Sequence, residues 1–156
     1  MPDKLVVFDC VVFLQGLIKQ SGPAVTCIQY FEEGRFSLVM SPETLTELRD
    51  VLSRSQLRKE FPLLTEQKAE QLIASLLLKG KLIRNVPKHF RLVRDPSDEP
   101  YLNLAIEAGA QFLITRDRDL LDLMRRDLEE CRTFQAQFPH LKIINPVDFL
   151  KTLGPN

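Results

Sequence analysis

The chain has 156 residues, 44% of them hydrophobic and 27% charged, with 21 basic against 21 acidic side chains and a formal net charge of zero. That length supports one domain with a real core and falls short of two, and the even balance excludes a chain-wide electrostatic pull on nucleic acid, so any such partner must be met by a local patch. Cys10, Cys27 and Cys131, odd in number and without CxxC spacing, exclude a disulfide framework and a zinc cluster, and no segment has the roughly 20 apolar residues of a membrane span.

The N-terminus has no basic region followed by an unbroken apolar run, because Asp3 comes first and Asp9 and Gln15 interrupt it. A reducing cytoplasm is the expected location, and no membrane partner is expected. Leu5-Val6-Val7-Phe8 is an apolar, β-branched run that predicts a strand buried on both faces, with Asp9 at its carboxyl end. Val11 to Ile18 predicts a short helix. Gly22-Pro23 opens another with proline at its first position, and Gly34 stops it.

Phe36 to Met40 predicts a second strand, and Ser41-Pro42 an N-cap followed by a helix whose Leu45, Leu48 and Leu52 share one buried face. Glu47 lies beside Leu48 on that helix and is placed to point toward the strand ends. Ser55 to Phe61 reads as a further helical piece, stopped by Pro62. Thr65 caps a long helix ending at Gly80, and Lys81 to Val86 supplies a third strand.

Lys79, Lys81, Arg84, Lys88, Arg91 and Arg94 lie in a stretch without a single acid, the clearest charge asymmetry in the chain. Asp95, Asp98 and Glu99 then precede a helical run closed by Gly109, and a short apolar strand from Phe112 to Ile114 delivers Asp117 and Asp119. Leu120 to Leu128 predicts a helix and Lys142 to Ile144 a last strand, with Asn145-Pro146 capping a final helix that ends at Gly154.

Strands alternating with helices imply an α/β domain in which a parallel sheet is covered on both faces. Its strand carboxyl ends share one edge, where ligands of open parallel sheets bind. Asp9 and the Asp117/Asp119 pair fall at that edge, and Glu47 and Asp98 border it. Carboxylates crowded together repel one another unless some take up protons or a cation offsets them. Hard oxygen ligands with neither a cysteine cluster nor a needed histidine favour Mg²⁺ or Mn²⁺ over Zn²⁺.

Local roles compete with this reading. Asp9 is also placed to cap the following helix, Asp98 to cap the helix at Pro100, and Asp117 or Asp119 to cap the helix from Leu120. The basic run is by default a solvated face, whereas Arg116 and Arg118 lie at the crevice and either meet phosphate or pair with the acids. A phosphoaspartate phosphatase needs a second acid two residues after its nucleophile, where Val11 stands. A phospho-receiver domain needs an acidic pair before the first-strand aspartate, and none is present.

Four segments together resemble the PIN-domain ribonucleases, and among them the toxin branch of toxin–antitoxin pairs. They are Leu5 to Asp9, Ser41 to Leu48, Asp95 to Leu102 and Leu113 to Leu121, and the resemblance spans nearly the whole chain. It implies a single PIN-like three-layer α/β/α domain over 1–156 with a central parallel sheet. It further implies a metal-binding and catalytic set of Asp9, Glu47, Asp98, Asp117 and Asp119, supported by Thr115, that hydrolyses RNA with Mg²⁺ or Mn²⁺.

An antitoxin partner and a homodimer belong to the same expectation, and the RNA contacts fall to Arg116, Arg118, Lys88, Arg91 and Arg94. The family usually has asparagine two residues after the first aspartate, whereas this chain has Val11. That departure supports an alternative, a catalytically weak or inactive module that binds RNA or a protein partner.

Overall fold

A computed structural model describes residues 4–154. Five parallel strands, β1 (Leu5–Phe8), β2 (Ser37–Met40), β3 (Lys81–Leu82), β4 (Phe112–Ile114) and β5 (Lys142–Ile144), form one sheet in the order β3-β2-β1-β4-β5. The wholly apolar β1 takes the centre, beside the equally apolar β4. Val6 pairs with Leu38 on one side and Phe112 on the other, and Val6, Val7 and Phe8 are all buried, as a central parallel strand requires.

Helices α1 (Cys10–Ile18), α2 (Pro23–Glu32), α3 (Pro42–Leu52), α4 (Ser55–Glu60) and α5 (Glu66–Lys79) occupy the N-terminal half. In the C-terminal half, α6 (Glu99–Ala108), α7 (Arg118–Leu121), α8 (Glu129–Gln137) and α9 (Pro146–Leu153) complete the layers. On the sheet, α6 packs across β1, β2 and β4. Phe149 of α9 meets the rings of Phe8, Phe36 and Phe112 at centroid distances of 6.3, 5.1 and 5.4 Å, tying both halves into one core. No helix among the described residues is long and apolar enough to cross a membrane.

The capping signals act as their residue types predict. Ser41 accepts from the amide of Thr44 at 3.1 Å while the Thr44 hydroxyl accepts from the Ser41 amide at 3.0 Å, a reciprocal cap that fixes the start of α3. Gly109 closes α6 in the left-handed conformation at φ 65°.

Two elements differ from the sequence reading. The strand expected over 81–86 stops after two residues, since Asn85 turns left-handed at φ 59° and Pro87 follows. The helix expected over 120–128 splits into α7 and a 3-10 turn at Asp122–Met124, and a separate helix, α8, follows it.

Beyond β3 the chain is irregular up to a 3-10 turn at Pro96–Asp98. Asn103, buried on α6, holds this segment. Its Oδ1 accepts from the amides of His89 and Phe90, both at 2.8 Å, and its Nδ2 donates to the Phe90 carbonyl at 3.1 Å.

Candidate metal centre

At the carboxyl end of β1 the Asp9 amide donates to the Ile114 carbonyl at 3.1 Å, continuing the β1–β4 ladder by one bond. Its side chain, 4% exposed, has two fixed partners. Oδ1 accepts from the Val12 amide at 2.9 Å, capping α1, and Oδ2 accepts from the Thr115 hydroxyl. Capping and facing the crevice are thus joint properties of one carboxylate. Burial raises its pKa to about 6, against the pull of those hydrogen bonds and with a smaller push from the charge of Asp117.

Thr115 continues β4 and is fully buried. Its Oγ1 also accepts from the Asp117 amide at 2.9 Å. Asp117 in turn caps α7, Oδ1 accepting from the amides of Asp119 at 2.8 Å and Leu120 at 3.3 Å.

Asp98 has no capping hydrogen bond, although its place before Pro100 suggested one. Asp95 takes the local turn instead, Oδ1 accepting from the amide of Ser97 at 3.2 Å and its hydroxyl at 2.5 Å. Those bonds hold Asp95 below the usual carboxylate range. Asp98 is left with a buried Oδ2 that has no hydrogen-bond partner. Burial first, then the charges of Asp117 and Asp95, raise its pKa to about 8.

Glu47 comes from α3, an exposed helix position by sequence, yet its Oε1 accepts from the Tyr101 hydroxyl at 2.9 Å. These elements enclose a cleft of about 390 Å³ lined by Asp9, Cys10, Val11, Glu47, Asp95, Ser97, Asp98, Tyr101, Arg116 and Asp117. Five carboxylates therefore face one guanidinium. The uncompensated charge and the orphaned Asp98 oxygen are what a hard divalent cation satisfies, so the donor set fits such an ion.

The structure brings Asp9, Glu47, Asp98 and Asp117 to one cleft, and adds Asp95. Asp119 sits at its margin. One oxygen of Asp119 lies within 4.8 Å of oxygens of both Asp95 and Asp117, but its carboxylate is paired with Arg94 at 2.8 Å, and Arg94 also reaches Asp122 at 3.2 Å. Sequence reasoning assigned Asp95 no part in the site. The available signal was its place three residues before Asp98, with proline between them to tighten the turn.

Of the cationic residues, Arg116 lines the cleft, while Arg118, Lys88 and Arg91 are exposed. Lys88 borders a smaller hollow of about 170 Å³ with Ser41, Glu43, Pro96 and Glu99. Arg94, expected to meet RNA, is engaged with Asp119 and Asp122 instead.

Solved structures share this architecture. VapBC2 from Rickettsia felis, crystallised bound to a DNA fragment from their promoter, aligns with a TM-score of 0.53 and 12% identity, covering 90% of this chain and 98% of that one. PAE2754 from Pyrobaculum aerophilum aligns with a TM-score of 0.51 and 15% identity, covering 97% and 89%. At such identities the likeness is one of fold. No curated protein matches the chain in sequence. The family model for the PIN domain matches residues 5–119, which include every acid of the cleft, and the chain belongs to the PIN-domain family.

Proposed function

We propose that this chain, a single domain over 1–156, is a ribonuclease that hydrolyses RNA phosphodiester bonds with Mg²⁺ or Mn²⁺. The observation that carries the reading is Asp98. Asp98 is half-buried, its Oδ2 is buried without a hydrogen-bond partner, and Asp95 and Asp117 crowd it, an arrangement that costs stability unless a cation or a proton is present.

Asp9, Asp98 and Asp117, with Glu47 and Asp95, would hold the ion. When bound, a divalent cation supplies Lewis acidity toward water and a phosphodiester oxygen. The chain's own residues do the rest. Thr115 fixes Asp9 and the backbone of Asp117 relative to each other. Arg116 on the cleft wall is placed to meet a phosphate, and the exposed Arg118, Lys88 and Arg91 extend positive charge outward. Asp119 takes a lesser part, because Arg94 already offsets its charge.

The test is cleavage of RNA with Mg²⁺ or Mn²⁺ by the wild type, Asp9→Asn and Asp98→Asn. Loss of activity in both variants supports the proposal, and equal activity in all three overturns it. A toxin role with an antitoxin partner, a homodimer and a cytoplasmic setting are the finer parts of this reading. They are supported by the toxin-like motifs and by the fold likeness to VapBC2.

Val11 favours a second reading. It is 48% exposed and puts an apolar side chain on the cleft lining beside Asp9, consistent with a module that binds RNA or a protein partner without cutting. Calorimetry with Mg²⁺ and Mn²⁺ separates the two, since absence of binding at millimolar concentration supports the second.

A further inference from the structure

Glu47 differs from the other acids of the cleft in what holds it. Asp9 and Asp117 follow strands and accept from backbone amides two or three residues ahead, so local structure fixes them. Glu47 sits in the middle of α3, on a longer side chain, at an exposed position where a glutamate ordinarily samples several rotamers. Its fixed partner is distant in sequence. The Tyr101 hydroxyl donates to Oε1 at 2.9 Å across 54 residues, where α3 packs on α6.

Tyr101 is built to do this. Its ring is 3% exposed, and it lies one helical turn beyond Asp98 on the face of α6 that borders the cleft. A phenol hydroxyl is a neutral hydrogen-bond donor. A neutral donor also leaves the acid its charge. Arg94 shows the contrast, for the guanidinium that holds Asp119 offsets the charge a cation needs.

We propose that Tyr101 is a positioning residue for the cation site: its hydroxyl orients Glu47 over the cleft and leaves the second carboxylate oxygen as the ligand atom. The proposal rests on the metal reading above. It extends the site to a residue that touches neither ion nor substrate, and it predicts coupling between positions 47 and 101.

The test is calorimetric titration of Mn²⁺ into the wild type, Tyr101→Phe, Glu47→Gln and the double variant, with thermal unfolding of each. Tyr101→Phe removes one oxygen and keeps the ring. It is expected to weaken Mn²⁺ binding by about tenfold, in the range of losses at groups that orient metal ligands, with the Tm nearly unchanged. The double variant is expected to bind no more weakly than Glu47→Gln alone. Wild-type affinity in Tyr101→Phe, or a further loss of equal size in the double variant, overturns the proposal while leaving the metal reading intact.

If the wild type itself takes up no Mn²⁺, the metal reading fails and this one with it. Glu47→Asp provides a second route should Tyr101→Phe unfold. It keeps the charge but shortens the reach to the phenol, on an exposed helix face. Weakened binding is expected, and binding equal to wild type overturns the proposal.

Discussion

Thr115 joins Asp9 to Asp117: its hydroxyl donates to Asp9 Oδ2 and accepts from the Asp117 amide. One buried oxygen thus sets the spacing of two carboxylates that would otherwise move apart. Thr115→Val keeps the shape and removes both bonds, leaving a buried carboxylate oxygen and an amide unsatisfied. We expect a loss of about 1–3 kcal/mol in urea unfolding. Thr115→Ser should recover most of it, and a valine variant as stable as wild type contradicts the assignment.

Burial raises the pKa of Asp98 to about 8, with a further push from the charges of Asp117 and Asp95, and that of Asp9 to about 6, from an ordinary 3.8. An acid whose folded pKa is raised holds its proton more tightly folded than unfolded. Its stabilising contribution is complete below the unfolded value and is lost as pH climbs through the folded one. Without a cation the Tm should therefore fall between about pH 4 and about pH 8. Asp98→Asn should flatten the upper part of that fall, and Mn²⁺ should raise the Tm more at pH 8 than at pH 5. A Tm that climbs from pH 5 to pH 8 without metal would contradict this.

The Arg94 pairs with Asp119 and Asp122 are surface contacts, with the arginine side chain 59% exposed. Arg94→Ala should cost less than about 1 kcal/mol, and the cost should shrink in high salt. Because Arg94 offsets Asp119 but not Asp98, Asp119→Asn should weaken Mn²⁺ binding less than Asp98→Asn does. Calorimetry on the two variants decides the ranking.

Asn103 makes three hydrogen bonds to the segment that carries Lys88, His89, Phe90 and Arg91. Asn103→Ala should cost about 1–3 kcal/mol, because half-buried backbone groups lose their partner. The loosened segment should also become the first site of limited proteolysis. A variant that resists protease as well as wild type would show that the packing of Phe90 against Phe134, at 5.0 Å between centroids, suffices.

Asp9 and Asp117 were legible in the sequence because each comes within three residues of the end of a strand with an unmistakable apolar run, and strand ends share one edge. Asp95 was not, since its nearest bonds are to Ser97 and only the fold brings it within 4.8 Å of Asp117. Tyr101 reads in sequence as a core aromatic, which it is; that its hydroxyl reaches Glu47 depends on how α3 docks on α6.

The α8 helix was hidden for a different reason. Its inward residues are Cys131 and Phe134 among charged and polar neighbours, whereas the preceding Leu120 to Leu128 shows stronger apolar spacing but ends its turns at Met124. The expected length of β3 failed at Asn85, where a left-handed residue outweighed the β-branched residues around it.

The bond from Thr115 to Asp9 spans 106 residues. At ribosomal rates of roughly 5–20 residues per second, Asp9 waits roughly 5–20 s after its own synthesis before Thr115 exists. Thr115 follows β4, one of the two strands that flank β1, so in the nascent N-terminal half Asp9 keeps its cap on the Val12 amide but lacks both Thr115 and the β4 neighbour. The acidic cleft therefore assembles only once β4 and the residues after it have been made, and a chain ending before β4 lacks both Thr115 and Asp117.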